Sequence, residues 1–253
     1  MAAMEADFLP PDSELEIVTA AERPDLWEMG RSLFGDVWPE YNNHGNHTGR
    51  IFSSLIPQHA RFQVLVSDRT LDRPVARGRT IPIGWDGSLE DLPMSFDALG
   101  PRAEEGRPLD TLSALAAEVR ADQQGRGLSR VVIQAMAACA RAAGFTRLVA
   151  PVRPNWKDRY PIIPIEDYAH WTRDDGSPFD PWLRVHHALG ATIVRVEPAS
   201  LQIEAPVADW ETWTGMAFPA DGEYVFPRGL APLAVHGGTG SYWEPNVWML
   251  HQL

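Results

Sequence analysis

The clearest candidate for binding chemistry is a turn rich in glycine and arginine, QGRGLS at residues 124–129. Glycine lets a backbone turn tightly and come close to a ligand, and a helix that starts after such a turn presents free N–H groups and the positive end of its dipole. Arg126 and Arg130 add guanidinium groups suited to phosphate oxygens. The pattern predicts a phosphate-binding turn, with a purely structural turn as the alternative. It matches neither a Walker loop nor a Rossmann fingerprint.

The segments around this turn alternate between strand and helix. The stretch 109–121 is strand-like, apolar residues recur at helical spacing from Leu128 to Ala142, and Gly144 stands where a C-terminal cap belongs. A second strand-like run follows at 145–154. Strand, turn, helix and strand form a βαβ unit, which predicts a right-handed crossover and a parallel strand pair.

The N-terminal part predicts further elements of a mixed α/β domain. Its loops are polar or rich in Gly and Pro, and the link at 69–72 is short enough for a hairpin. We expect strands at 14–20, 61–68 and 73–85, helices at 23–34 and near 50–56, and an excursion from the sheet at 85–108.

The amino-acid composition limits the classes of protein to which the chain can belong. The 253 residues are 44% hydrophobic and carry a formal charge of −12. We expect a single cytoplasmic domain over 1–253, because no secretory signal or run of about 18 apolar residues appears. The charge disfavours a broad nucleic-acid surface and could attract a cationic acceptor, although solubility alone also explains it. The single cysteine, Cys139, excludes an internal disulfide and a cysteine-based zinc site.

The turn resembles the signature Gln/Arg-x-x-Gly-x-Gly/Ala of the GCN5-related N-acetyltransferase superfamily, with Ser129 at the last small position. Val119 stands five residues before Gln124, where the family commonly has valine, and PVRPN ends the next strand at Asn155. The stretch PWLRVHHALGATIVRV, beginning at Pro181, resembles the family's later helix and strand. The resemblance covers roughly residues 14–198.

This resemblance implies a mixed, mostly antiparallel sheet flanked by helices and splayed between strands 4 and 5, where acyl-coenzyme A enters. Val119 is alternatively a core valine, and Asn155 a loop residue that bonds its own backbone. No metal is implied, and His44 and His47 lack a clear set of further ligands. The donor-binding residues that the resemblance implies are Ala117, Val119, Gln124, Gly125, Arg126, Gly127, Leu128, Ser129, Arg130 and Asn155.

Acyl transfer needs an unprotonated amine, a place for its proton and a donor to the leaving thiolate. In many relatives that donor is a tyrosine four residues before a helix-ending glycine, and here the resemblance puts His186 at this position before Gly190. Histidine can serve as an acid or as a base near neutral pH. A structural or substrate-orienting role is the alternative, because the usual tyrosine is absent.

A long aromatic insertion at 156–181 separates Asn155 from that helix. Long insertions are often lids or binding walls, so Trp171 and Trp182 are candidate acceptor contacts, with packing onto the body as the alternative. Tyr168 is a second catalytic candidate, with Glu166 and His170 in reserve.

The segment 199–253 is apolar and β-prone, and it predicts a β-rich extension that rejoins the sheet. Trp210 and Trp213 are expected to anchor it, while Glu223, Glu244 and His236 have no assigned role.

The sequence as a whole favours an acyltransferase that moves an acetyl or other acyl group from acyl-coenzyme A to a small amine. Two alternatives stay open: a transferase of the same fold that uses another donor such as aminoacyl-tRNA, and a non-catalytic acyl-coenzyme A binding protein. The sequence also leaves open whether the chain forms a homodimer.

Overall fold

A nine-stranded sheet dominates the computed structural model, which describes residues 8–10, 12–35 and 37–253. The sequence predicts no secretory signal at the N-terminus, and most of the N-terminal residues concerned lie outside the described ranges. The strands are β1 Leu15–Thr19, β2 Val64–Asp68, β3 Arg73–Ile83, β4 Thr111–Val119, β5 Arg147–Val152, β6 Thr192–Pro206, β7 Gly222–Tyr224, β8 Leu233–His236 and β9 Thr239–Gln252.

Neighbouring strands follow the order β1-β2-β3-β4-β5-β9-β8-β7, and β6 lies along β9. Within the described ranges β4 and β5 form the one parallel pair, and the other named pairs are antiparallel. The mixed, mostly antiparallel sheet and the β2–β3 hairpin predicted from the sequence are therefore confirmed.

Helices cover both faces of the sheet. A π-helical turn at Ile51–Leu55 joins two short α-helices, so that helical structure runs without a break from Thr48 to Gln58. None of the helices in the described part of the chain combines the length and the apolar character needed to cross a membrane. The helices are α1 Pro24–Leu33, α2 Thr48–Arg50, α3 Ile56–Gln58, α4 Leu99–Glu104, α5 Leu128–Ala142, α6 Ile165–Tyr168, α7 Pro181–Ala188 and α8 Val207–Thr214.

Helix α5 packs its apolar stripe onto one face of the sheet, as its periodicity predicts. Val132, Met136 and Cys139 are buried against β2, β3 and β4. Gly78 of β3 permits the close approach, because a Cβ atom there would lie 2.4 Å from Cε of Met136. The predicted βαβ unit is present as β4, α5 and β5.

The C-terminal extension completes the sheet, as predicted. Strand β6 lies along one edge of β9, while β8 pairs with the first residues of β9 and β5 with its last six. Trp210 of α8 is fully buried and donates its indole N–H to the carbonyl of Gly240 at 3.1 Å. The predicted anchoring role of Trp210 is therefore confirmed.

Candidate active site

The sheet opens between β4 and β5 after three residue pairs. The pairing ends at Ser113 and Val149, and past this point the backbone groups of residues 114–119 form no ladder hydrogen bonds with β5 in the described part of the chain. On its other edge β4 carries a bulge at Leu115, because Arg79 pairs with Ala116 whereas Thr80 pairs with Ala114. Bulges bend a strand and increase its twist. The predicted splay is therefore confirmed, and it leaves an unpaired strand edge that an extended ligand can bond.

A cavity of about 400 Å³, here the outer cavity, lies at the mouth of this opening. Trp38, Arg153 and Trp182 form part of its wall. The structure thus brings together eight of the ten donor-binding residues that the sequence predicts: Ala117, Val119, Gln124, Gly125, Gly127, Leu128, Ser129 and Asn155.

The glycine turn has the backbone conformation that requires glycine. Gly125 and Gly127 have φ of +77° and +74°, and neither would place a Cβ within 4 Å of another group. Gly127 is the N-cap of α5 and supplies no capping side chain, so the first N–H groups of the helix have no such partner. The Ser129 hydroxyl is of a type that can cap a helix or bond a phosphate, and it forms no capping hydrogen bond here. The turn is built to receive an anion at the start of α5.

The two arginines of this region lie on the surface beside the turn. Neither Arg126 nor Arg130 lines the outer cavity, and both are exposed. Arg126 donates a hydrogen bond to the side chain of Gln123. Their predicted contacts to phosphate stay predictions.

A second cavity of about 230 Å³, here the inner cavity, continues from the outer one between β4 and β5. Ala114 to Ala117 of β4 and Ala150 to Val152 of β5 line it, and Trp38, Ala117, Arg153 and Trp182 line both cavities. Of the two predicted acceptor contacts, Trp182 therefore lies where it can touch a ligand.

His186 lines the inner cavity from α7. It is 3% exposed, its Nδ1 lies 2.9 Å from Nε2 of His251, and the Trp182 ring stands edge-on at 4.7 Å between centroids. Burial lowers the pKa of His186 far below its ordinary value, and His251 lowers it further. The imidazole is therefore neutral at pH 7. The structure places the predicted catalytic histidine in the cavity, with a buried partner that the sequence did not indicate.

Tyr168 and Trp171 lie outside both cavities. Tyr168 is 1% exposed and donates its hydroxyl to Asp180 at 2.9 Å, and burial raises its pKa. Asp180 in turn accepts from the backbone N–H of Trp182 and Leu183 and so caps α7. Tyr168 thus contacts the residue that fixes the start of the helix carrying His186. The reserve candidates Glu166 and His170 are exposed.

The aromatic insertion packs on itself and on the body. Rings of Tyr160, Tyr168, Trp171 and Phe179 lie 5.1 to 6.2 Å apart between centroids. The buried ammonium of Lys157 donates to the carbonyls of Tyr160 and Leu230. These contacts favour the packing alternative for this segment.

A buried carboxylate in the inner cavity was left unassigned by the sequence. Glu244 is 2% exposed and accepts from Asn42 at 2.9 Å and from Arg153 at 2.8 Å through Oε1. Its Oε2 accepts from the Tyr242 hydroxyl at 3.2 Å. The Oδ1 atom of Asn42 is buried and has no partner among the described residues. The wall of the cavity therefore offers oxygen acceptors to a ligand.

A second buried carboxylate holds an arginine at the cavity. Glu118 of β4 accepts from Nε of Arg77 at 2.5 Å, from Nε of Arg79 at 3.0 Å and from the Trp38 indole at 3.1 Å. Burial opposes ionisation of Glu118, but Arg79 and Arg77 outweigh it and hold its pKa below the usual value. Arg79 lines the inner cavity and stacks over Phe52 at 4.4 Å.

The sequence did not indicate a role for Glu244, Asn42, Arg79 or His251. Asn42 and Arg79 lie far along the chain from β9, which carries Glu244 and His251. Arg153, which also lines the inner cavity, lies within the PVRPN stretch, so the sequence did indicate this part of the cavity wall. The described residues contain no group of three or more His, Cys, Asp or Glu side chains placed to hold a metal ion. His44 instead stacks on Trp213 at 4.2 Å.

Comparison with known proteins places the chain beside acetyltransferases. No protein-family model matches it. It is 31% identical over 287 aligned positions to a protein of Aspergillus versicolor named arginine N-acetyltransferase avaD, with 97% of this chain and 96% of that protein covered.

Two solved structures share the fold over nearly their whole length. The loading GNATL domain of CurA from Lyngbya majuscula superposes with a TM-score of 0.60 at 20% identity, covering 94% of this chain and 97% of that one. The GphF GNAT-like decarboxylase in complex with isobutyryl-CoA gives 0.56 at 17% identity, covering 94% and 98%. Identities this low establish the fold alone.

Proposed function

The chain belongs to the GCN5-related N-acetyltransferase superfamily, and on this premise we propose that it acetylates arginine or an amine that resembles arginine. The enzyme transfers an acyl group from acyl-coenzyme A to a small amine acceptor. The proposal concerns the acceptor, the acetyl group and the residues that serve each substrate.

The donor is assigned to the opening between β4 and β5. The unpaired edge of residues 114–119 can bond the amide groups of the pantetheine arm as a strand would. The turn at Gly125 and Gly127 lies at the mouth of the same opening, where the free N–H groups of α5 suit the pyrophosphate. The thioester then reaches the inner cavity beside Trp182 and His186.

The acceptor is assigned to the inner cavity, and the buried carboxylate of Glu244 is the observation that carries this choice. A guanidinium group donates hydrogen bonds and accepts none, so it needs oxygen acceptors. Oε2 of Glu244 accepts from the Tyr242 hydroxyl at 3.2 Å and keeps a further lone pair, and Asn42 Oδ1 has no partner among the described residues. The name of the relative from Aspergillus versicolor supports the same acceptor.

The chemistry then follows from the protonation states. A guanidinium stays protonated at pH 7 because its pKa exceeds about 12, whereas an α-amine has a much lower pKa and is deprotonated more readily. The α-amine is therefore the nucleophile, and the guanidinium is the group held by Glu244. The amine attacks the thioester carbonyl, and His186 is the proton-transfer residue at the reacting atoms.

The test is a donor and acceptor panel with the purified protein. Acetyl-coenzyme A is offered with arginine, arginine methyl ester, lysine and a simple alkylamine, and thiol release and product mass are measured. We expect arginine to give the highest kcat/KM and NMR of the product to show an acetyl group on the α-nitrogen. A charged tRNA serves as the competing donor.

Two results would overturn parts of this proposal. Thiol release that is equally fast with a simple alkylamine and with arginine would remove the guanidinium assignment. Absence of acyl transfer to any amine in the panel, in a folded protein that binds acetyl-coenzyme A, would remove the acceptor class.

A further inference from the structure

A third cavity lies next to His251, the buried hydrogen-bond partner of His186. This rear cavity of about 400 Å³ is lined by α5, by Leu189 and by the end of β9. His251 of β9 is in its wall and is 5% exposed. No part of the acyl-transfer assignment uses this space.

The two buried histidines connect the inner and rear cavities. His186 lines the inner cavity and His251 lines the rear one, and their rings are joined through Nδ1 of His186 and Nε2 of His251 at 2.9 Å. Each ring is nearly sealed from bulk water. One hydrogen bond therefore links a side chain of the inner cavity to a side chain of the rear cavity.

The surroundings of His251 favour one arrangement of the shared proton. A backbone group of Leu189 near the His251 ring raises its pKa and so partly offsets the lowering by burial. Nε2 of His251 faces His186, so the nitrogen left for this backbone group is Nδ1. A proton on Nδ1 leaves Nε2 of neutral His251 as an acceptor. His186 then donates from Nδ1, and its own Nε2 is an unprotonated base.

We infer that His186 and His251 form a proton-holding pair, in which His186 takes the proton of the attacking amine and His251 stabilises it as a positioning residue. This inference rests on the proposed function of the inner cavity. It goes beyond it by assigning a role to His251 and the rear cavity, and it gives His186 the role of a base before that of an acid.

The proton balance needs no further reactant. As the amine nitrogen bonds to the thioester carbon, its N–H proton passes to Nε2 of His186, and the Nδ1 proton of His186 shifts to Nε2 of His251. His251 then carries both ring protons, one on Nε2 facing His186 and one on Nδ1. When the carbon–sulfur bond breaks, the shift reverses and the proton passes from Nε2 of His186 to the departing thiolate. One N–H bond is lost and one S–H bond is formed.

The pair distributes charge better than one histidine could. His186 is enclosed by the Trp182 ring and the apolar walls of the cavity, where a full positive charge is costly. His251 faces the rear cavity, whose wall also includes the polar groups of Gln134 and Gln252. Arg141 of α5 lines the same cavity and disfavours charge on His251, so the stored proton is readily returned.

The first experiment replaces His251 by glutamine, whose terminal amide can reach the position of Nε2 and keep the bond to His186 without carrying the proton. We expect kcat to fall about 10- to 100-fold while KM for both substrates stays within about twofold. The matched control is His187→Gln, an exposed histidine of the same helix, which should retain wild-type kcat. A His251→Gln enzyme with wild-type kcat would overturn the inference.

A second variant uses the rear cavity itself. His251→Ala opens a space beside Nδ1 of His186, and added imidazole should raise its turnover in a saturable way. The same imidazole should leave the wild type and the His251→Gln variant unchanged. A folded His251→Ala enzyme whose turnover does not respond to imidazole would contradict the role of His251.

A measurement on the unaltered protein is independent of any variant and of the reaction. Nitrogen-15 NMR of histidine-labelled protein at about pH 7.5 should show His186 with a proton on Nδ1 and none on Nε2. The opposite tautomer would overturn the inference even if the enzyme acetylates arginine. Failure of acyl transfer in the wild type, with the expected tautomer present, would instead count against the proposed function.

Discussion

At the scale of single residues, we expect turnover to depend most on His186. Among the described residues it is the one histidine that lines the inner cavity, and His251 of the rear cavity is its hydrogen-bond partner. His186→Ala should lower the single-turnover rate about 10²- to 10⁴-fold with donor affinity nearly intact. Rapid-quench kinetics and calorimetry with coenzyme A measure the two quantities.

The family's usual residue offers a sharper comparison at this position. His186→Tyr restores a phenol, and it should retain part of the activity if the ring fits beside Trp182. Full turnover in a well-folded His186→Ala protein would remove His186 from the chemistry.

At the same scale, we expect Glu244 to govern acceptor recognition. Glu244→Gln keeps the shape of the side chain but removes the charge that faces Arg153 and the cavity. We expect KM for arginine to rise about tenfold or more and the Kd for coenzyme A to stay unchanged. Some loss of thermal stability should accompany this change, because the buried Arg153 loses its ion-pair partner.

The exposed Glu223 of β7 supplies the matched control, since Glu223→Gln removes the same charge far from the cavities. Equal rises of KM in both variants would point to the net charge of the protein in place of a specific contact.

At the scale of elements, the turn that begins α5 should govern donor binding. Gly127 has φ of +74° at the mouth of the outer cavity, so Gly127→Glu adds backbone strain and a negative charge where the pyrophosphate is assigned. We expect the affinity for coenzyme A to fall at least tenfold by calorimetry.

Gly144, near the other end of α5, provides the control for the effect of backbone strain on coenzyme A affinity. Its φ is +80° and a Cβ there also meets nothing within 4 Å, so Gly144→Glu imposes similar strain away from the cavity. Unchanged coenzyme A affinity in folded Gly127→Glu would remove the phosphate role from the turn.

The aromatic insertion should contribute stability more than acceptor binding. Tyr168→Phe removes one buried hydrogen bond to Asp180 and should lower the free energy of unfolding by about 1 kcal/mol. Trp171→Ala empties part of the ring cluster and should cost about 2 kcal/mol or more. Urea unfolding measures both losses. A raised acceptor KM without loss of stability would instead indicate that this segment forms a wall of the acceptor site.

At the scale of the whole molecule, the buried histidine pair makes stability depend on pH. Burial lowers the pKa values of His186 and His251 in the folded protein, whereas an unfolded histidine titrates near about 6.5. Acid therefore protonates the unfolded state first, and the free energy of unfolding falls as the pH drops below about 6.5. At about pH 5 the loss is roughly 2 kcal/mol per histidine.

Urea unfolding at about pH 7.5 and about pH 5 measures this loss. The loss should be smaller in His251→Gln, which removes one titrating group. A free energy of unfolding that stays constant over this range would mean that the two histidines take up protons as readily in the folded protein as in the unfolded chain.

The local residue pattern determined the secondary-structure elements and the glycine turn that begins α5. Apolar spacing in α5, alternation in β2 and β3, and glycines at 125 and 127 each depend on neighbours within a few residues, so they can be read directly. The parallel pair of β4 and β5 followed from the βαβ order. The resemblance to a known family then indicated the splay and the position of His186.

Only the tertiary structure decided which side chains line the inner cavity together with His186 and which residue forms a hydrogen bond with its ring. Glu244 and His251 belong to β9, which enters the sheet between β5 and β6 although it is the last strand of the chain. Asn42 and Arg79 reach the same space from segments more than a hundred residues earlier. Side chains so distant in sequence leave no periodic pattern, because strand order is fixed by packing and hydrogen bonding across the whole sheet.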